Sequence, residues 1–379
     1  MAPFGDGAVL HDSRTGRLFQ LNHTAACVWR SLRAGELEEV IVDELALAHG
    51  LAHAVVRRDL RAFVDALHAA GLSWRREAFD GHAADEEVRS PVGPPALVAV
   101  YQVGEIALRV ICYPDDVAAA FVPLAAPARV PDHAACEGCL ALFRDRGTFV
   151  LTRDDRVVER LDTAPAARWA LVRQLVSTAW PGPCLALLHA GAITTPAGCL
   201  LICGESGAGK STLLAGLIHG GFAFVADDIV PLEEGTKRVW PVRLAISIKQ
   251  DSWSVVDPLF PELASAPTVR FGDRTMRYVW PSGAALGDGA SGYPAAAVLF
   301  AQYAKEAPAV LSPLDPVRSL ALLGAGGSVL PSTESGLTEF LAWWRAVPAY
   351  QLSYGRLEDA VRKVSALADA LRSDVMSPA

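Results

Sequence analysis

The 379-residue chain has no excess of positive charge: 34 lysines and arginines stand against 42 aspartates and glutamates, a formal net charge of −8. That balance disfavours broad electrostatic attraction to nucleic acid or to an anionic membrane surface. No apolar run approaches the roughly 20 residues that a membrane-spanning helix needs. Residues 1–6 lack the basic start and apolar stretch of a secretory signal. The seven cysteines are odd in number and scattered. Cys112, Cys184, Cys199 and Cys203 sit among apolar neighbours and read as small buried residues rather than a disulfide framework, so a reducing cytoplasm is expected. Apolar residues make up 51% and charged residues 20%, which excludes disorder as the main state.

At roughly 150 residues per domain, the length suggests two to three modules. Residues 8–74 open with alternating segments at 8–11 and 17–21 around the turn-forming Asp12-Ser13-Arg14-Thr15-Gly16, which predicts a hairpin. Helical spacing follows over 24–32, 37–48 and 54–70, the last with Val56, Leu60, Phe63, Val64 and Leu67 on one side. A first domain is expected over 1–75 and a charged, proline-containing linker over 76–95. The pattern over 96–180 is rich in strands, at 97–101, 106–111, 140–143 and 148–151, with a helix near 165–180. From 181 to 379 strands alternate with helices, the texture of an α/β layer. Helices are expected over 336–345 and 357–371 and a strand over 349–353.

The strongest signal is Gly204-Glu205-Ser206-Gly207-Ala208-Gly209-Lys210-Ser211, a G-x-x-x-x-G-K-S run between the apolar 199–203 and a helical stretch starting at Thr212. Glycines there let the backbone wrap phosphate oxygens with several N–H groups pointing inward at a helix start. Lys210 would meet the outer phosphates and Ser211 would offer its hydroxyl to magnesium. Downstream, a strand over 222–225 delivers Asp227 and Asp228 to its C-terminal end. Neighbouring strand residues face opposite ways, so one carboxylate can hold magnesium while the other faces the incoming nucleophile. Upstream, His189 ends the apolar run 185–188. His133, Cys136 and Cys139 form H-x-x-C-x-x-C without the fourth ligand that a structural zinc needs.

The order H-x-G, G-E-S-G-x-G-K-S and G-G-F-x-F-V-A-D-D resembles the catalytic domain of bacterial HPr kinase/phosphorylases and related kinases, specifically over 185–232 and diffusely over 96–372. The resemblance implies an α/β P-loop kinase core of the HPr kinase and PEP carboxykinase type. It would use ATP and Mg²⁺ to phosphorylate a hydroxyl, usually a seryl hydroxyl of a protein or peptide. It implies nucleotide contacts along 204–212, including Gly204, Glu205, Ser206, Gly207, Ala208, Gly209, Lys210, Ser211 and Thr212. It further implies Asp227 as general base, Ser211 and Asp228 as magnesium ligands, and His189 beside the transferred phosphoryl group. Thr212 stands where HPr kinases carry an acidic residue, and no Arg-Gly-Asn-type signature follows, so HPr itself and the reverse reaction are not expected. Residues 241–249 look like the R-P-I-S-L-K stretch of kinases from peptide-modification clusters. Arg243 and Lys249 either bind phosphate or substrate there or are solvated cations of an edge strand.

The segment from Val9 to Trp29, with Leu21-Asn22-His23-Thr24-Ala25, and the later Asp59, Phe63 and Leu67 resemble PqqD-like peptide-recognition domains, winged-helix-like α+β folds. The family's first strand is expected to be short or missing, with Asn22 or Thr24 as helix cap. Such domains add the leader of a ribosomally made precursor peptide to a sheet edge as a strand. That role would fall to Arg17, Leu18, Phe19, Gln20 and Leu21. Arg57, Arg58 and Arg61 either flank the groove and attract an acidic leader or form a solvated face.

These readings converge on a cytoplasmic ATP- and Mg²⁺-dependent kinase acting on a Ser or Thr of a leader-bound precursor peptide, without nucleic-acid or membrane partners. Relatives of the catalytic domain are often homo-oligomers, and the sequence fixes no number. A kinase of a small free hydroxyl compound such as serine, or an ATP-binding peptide chaperone without transfer, are the alternatives.

Overall fold

In the computed structural model of the chain, residues 1–12, 15–72, 91, 93–281 and 292–376 are described, with side chains as far as 373. The expected linker lies outside them apart from 91 and 93–95. The chain divides into two compact units, Met1–Glu86 with Ser332–Leu341, and Glu87–Pro331 with Ala342–Ala379.

The first unit opens with three antiparallel strands in sequence order, Ala2–Phe4, Gly7–Asp12 and Arg17–Leu21. The short first strand is therefore present. Asn22 starts the helix His23–Ala34 by accepting the Ala25 N–H at 2.8 Å. Gly35, at φ +82°, ends it in the left-handed conformation that glycine tolerates best. Helices Glu38–His49 and His53–Ala69 follow in sequence. Leu10, Leu21, Trp29 and Leu67 form one apolar cluster, with Phe19 and Phe63 packed against it. Val28, Ile41, Val42, Val56 and Leu60 form the other. Each large side chain so buried contributes roughly 1.5–3 kcal/mol of transfer free energy.

The second unit begins with a six-stranded sheet in the order Arg129–Val130, Leu97–Tyr101, Leu108–Cys112, Cys139–Asp145, Thr148–Arg153 and Arg156–Leu161. Arg146 and Gly147, at φ 49° and 90°, make the two-residue turn that the third and second strands from its end require. Helix Ala164–Ser177 starts under a Thr163 cap. Helix Asp115–Ala125 was not apparent in the sequence, because Pro123 sits inside its last turn and Pro114 precedes it.

A nine-stranded mixed sheet follows. Its strand Gly198–Cys203, which leads into the glycine-rich run, lies parallel to Tyr293–Tyr303 and antiparallel to Gly191–Thr195, which in turn pairs with Phe224–Ala226. Helix Lys210–His219 packs on this sheet through Leu213, Leu214, Leu217 and Ile218. A three-stranded sheet, Ile246–Lys249, Arg274–Val279 and Val269–Phe271, supplies Ile246, Ile248 and Val279 to the same core. Whole layers of apolar strand thus hold the ends of Cys184–Leu188, Gly198–Cys203 and Phe224–Ala226 in fixed relation. The residues that follow those ends are the chemically interesting ones. No helix is long and apolar enough to cross a membrane among the described residues.

Candidate functional site

The bend after Cys203 is built from backbone that side chains would spoil. Gly204, Gly207 and Gly209 hold φ values of +143°, +93° and +91°. A Cβ at Gly204 would fall 2.9 Å from the Ala301 carbonyl oxygen, and one at Gly209 2.4 Å from the Tyr354 hydroxyl. That hydroxyl donates to the Gly209 carbonyl at 3.1 Å, tying the bend to the strand Ala349–Tyr354. Lys210 folds back over the bend, and its Nζ donates to the carbonyls of Gly204 (2.8 Å) and Glu205 (3.1 Å). Its side chain is buried, and burial pushes its pKa below the ordinary lysine value while Asp228 and Asp227 pull it back.

A cavity of about 170 Å³ opens beside the bend. Ser206, Gly207, Gly209, Lys210, Ser211 and Thr212 line one side of it. His189, Asp228 and Lys249 line it too, so these expected residues are brought together. Gly204, Glu205 and Ala208 stay outside the lining, the first two contributing their carbonyls to Lys210. Lys249 Nζ donates to Ser206 Oγ at 2.9 Å. Thr212 Oγ1 donates to Ser252 Oγ at 2.8 Å. Arg243 is not brought in: it is exposed, and its backbone N–H is held by the Val103 carbonyl at 3.2 Å.

The two aspartates differ sharply in their surroundings. Asp227 is 1% exposed and does not line the cavity. It accepts from Ser211 Oγ (3.2 and 3.1 Å) and from the Ser247 N–H (3.2 Å). Burial first, and then Asp228, push its carboxyl well above the ordinary aspartate range. Asp228 turns out of the strand at φ 64°, into left-handed backbone, and its side chain lines the cavity. The strict up-and-down alternation of a strand ends at Ala226, so it does not govern this pair.

His189 sits beside Asp228. Its backbone N–H donates to Ser328 Oγ at 2.9 Å, and its ring meets Trp169 edge-on with centroids 6.3 Å apart. Burial lowers its pKa, and the Asp228 carboxylate opposes that shift only in part. The imidazole is therefore neutral near pH 7 and able to accept a proton. Ser211 and Asp227 together offer one hydroxyl and one carboxylate, the sparse donor set that suits a magnesium ion bound mainly by phosphate and water. Among the described residues no group of three or more His, Cys, Asp or Glu could hold a metal.

Sequence reasoning missed the charged cavity residues Arg168, Asp251 and Arg274, along with Ser247, Ile248, Ser252 and Met276. None of the three charged residues belongs to a local motif, so only the fold brings them to the bend.

Residues 7–72 match the family described as Coenzyme PQQ synthesis protein D (PqqD). The N-terminal domain is PqqD-like. In this PqqD-like domain the strand Arg17–Leu21 pairs with one neighbour among the described residues, leaving its other edge open. Arg17 and Gln20 are exposed, Leu18 and Phe19 half-buried and Leu21 buried. The Arg17 guanidinium lies 4.9 Å from the Phe19 ring centre. Arg57, Arg58 and Arg61 are exposed on helix His53–Ala69, and Arg58 pairs with Asp59 at 2.9 Å. Phe63 and Leu67, in the second half of that helix, join the cluster that includes Leu21, whereas Val56 and Leu60 join the other cluster. A cleft of about 260 Å³ opens beside Asn22 and Thr24, lined with Val28, Leu45, Leu51 and Val56; none of the three arginines lines it.

Among solved structures, the chain is similar to the Hpr(Ser) kinase/phosphatase from Coxiella burnetii, at 14% identity over 50% of this chain and 99% of that chain, with a TM-score of 0.25. No curated protein matches the chain.

Proposed function

We propose that the chain is a peptide kinase: its winged-helix-like PqqD-like domain holds a precursor peptide by the leader, and its phosphate-loop unit transfers the γ-phosphoryl group of ATP to a Ser or Thr hydroxyl of that peptide. The domain division carried by this reading is peptide recognition over 1–75, linker over 76–95, β-rich segment over 96–180 and catalytic segment over 181–379. One observation carries it. Lys210, Ser211, His189 and Asp228 line a single cavity at the mouth of a glycine bend, with Asp227 behind Ser211.

In this reading the bend and Lys210 bind the phosphates of ATP, with Lys249 as a second cation at the loop. Ser211 and Asp227 hold magnesium, which supplies neutralisation of phosphate charge when bound. The Asp228 carboxylate takes the proton of the acceptor hydroxyl, with neutral His189 beside it. The acceptor oxygen bonds to the γ phosphorus as the bond to the β–γ bridging oxygen breaks, and that electron pair leaves on ADP. Most of the rate gain comes from positioning and charge, which phosphoryl transfer chiefly requires. The leader, paired along Arg17–Leu21, raises the local concentration of the acceptor.

The test is to incubate the protein with ATP, Mg²⁺ and a leader-bearing precursor peptide, and to read the peptide mass. One added phosphate that depends on the leader supports the proposal. Phosphate on free serine instead marks a small-molecule kinase, and tight ATP binding without transfer marks a chaperone.

A further inference from the structure

Helix Ala164–Ser177 sends one side chain, Arg168, into the cavity that the phosphate loop lines. The side chain is anchored on the way. Its Nε donates to the Ala120 carbonyl at 3.2 Å and its Nη2 to the Tyr278 hydroxyl at 2.8 Å. The guanidinium carbon lies 5.7 Å from the Phe271 ring centre and 5.9 Å from that of Tyr278. Those two bonds use two of the five N–H donors that an arginine carries. Nη1 has both protons uncommitted among the described residues. A flexible cation would lose rotamer freedom on meeting a ligand, whereas this one is already held in place.

Charge bookkeeping says what it would meet. Lys210, at the head of the helix after the bend, and Lys249, which ends the strand Ile246–Lys249 and donates to Ser206 Oγ, are the cations nearest the loop, and Arg274 also lines the cavity. Arg168 enters from a different element and lines the cavity together with His189 and Asp228, which the kinase reading sets at the acceptor. Arg168, Lys210, Lys249 and Arg274 all line this one cavity of about 170 Å³. Charge that spreads over the equatorial oxygens during transfer is where a fixed guanidinium contributes most.

We infer that Arg168 is the cation, supplied by the chain to itself, that stabilises the phosphoryl group in flight between ATP and the acceptor. The inference rests on the kinase reading above and adds a catalytic residue to it. Its mark is selectivity for the transition state: Arg168 contributes little to holding ADP and much to holding a planar phosphoryl mimic.

The experiment uses the full chain and needs no identified acceptor. Calorimetry measures the affinity for ADP with MgCl₂, and then for ADP with MgCl₂ and aluminium fluoride, in wild type, Arg168→Ala and Arg168→Lys. The wild type is expected to gain at least about tenfold from fluoride. Arg168→Ala should keep its ADP affinity within about threefold and lose most of that gain, with Arg168→Lys intermediate because it keeps charge but not the planar fork. An undiminished gain in Arg168→Ala overturns the inference and leaves the kinase reading standing. Loss of ADP affinity in proportion, together with a lowered melting temperature, also overturns it and makes Arg168 a strut between Ala120 and Tyr278. A wild type that binds no ADP overturns both.

Discussion

Ser211 Oγ lies within hydrogen-bond distance of both carboxylate oxygens of Asp227, at 3.2 and 3.1 Å, so the first turn of the phosphate-loop helix is tied to the end of the neighbouring strand Phe224–Ala226. The carboxyl is pushed up to about 8 from 3.8, by burial first and by Asp228 second. Between those limits the folded chain keeps a proton that the unfolded chain has lost. This group's contribution to stability therefore falls as pH rises through that window. Asp227→Asn removes the titration. The metal-free variant should melt about 2–4 °C above wild type at pH 8, with a smaller difference at pH 5, in thermal scans at both pH values. It should also lose the gain in nucleotide affinity that Mg²⁺ gives the wild type. A variant less stable than wild type at pH 8 contradicts the assignment of Asp227 as a buried acid awaiting a cation.

Asp228 predicts the opposite phenotype. Removing a general base costs about 10²–10⁴ in rate. Asp228→Asn is therefore expected to lower kcat at least about 100-fold while ATP affinity changes less than about threefold. His189→Gln should lose less. Because burial lowers the His189 pKa, any acidic limb that it contributes to kcat lies below the ordinary value of 6.5, and the substitution should displace that limb. Steady-state kinetics across pH with the phosphorylated peptide read by mass check both. If Asp227→Asn spares binding of metal and abolishes transfer whereas Asp228→Asn is active, the two roles revert to the family pattern.

What the sequence made legible follows from how local each signal is. Gly204 to Ser211 is one contiguous run whose conformation is set by its own glycines, so strand, bend and helix were readable together. Asp227 and Asp228 were readable as a pair at a strand end. Which one faces the cavity depends on a single backbone angle, φ 64° at Asp228, and on Ser247 reaching Asp227 from another sheet. Neither is encoded nearby. Arg168 carries no motif at all: a helix, a hairpin residue and a carbonyl from a third element place it. For Arg243 the sequence left a ligand contact and a solvated cation both open, and its exposure in the fold agrees with the second. In the N-terminal domain the cap was narrowed to Asn22 or Thr24 because capping is decided within three residues, and the fold uses Asn22.

The bend itself is testable without ligand. Gly209→Ala forces a side chain onto φ +91° and sets its Cβ 2.4 Å from the Tyr354 hydroxyl. Strain of that kind plus a displaced buried group should cost roughly 2–3 kcal/mol in denaturant unfolding. Tyr354→Phe alone gives up the hydrogen bond to the Gly209 carbonyl, about 1 kcal/mol. The double variant should be more stable than the two single costs added together, because Tyr354→Phe removes the atom that the new methyl strikes. Simple additivity would place the strain in the backbone alone.

The open edge of Arg17–Leu21 carries a cation beside an aromatic ring, Arg17 over Phe19, whereas Arg58 is already engaged by Asp59. A leader added along that edge gains most of its affinity from backbone pairing, with charge as a modest and salt-sensitive supplement. For an acidic leader, Arg17→Glu should weaken binding roughly fivefold at low ionic strength and less than about twofold at 0.5 M salt, since exposed charges are screened. Arg58→Ala should change it little at either. Fluorescence anisotropy of a labelled leader titrated with the full chain reads all four conditions. Equal weakening by the two substitutions would move charge recognition from the strand to the helix face and leave the edge to the backbone alone.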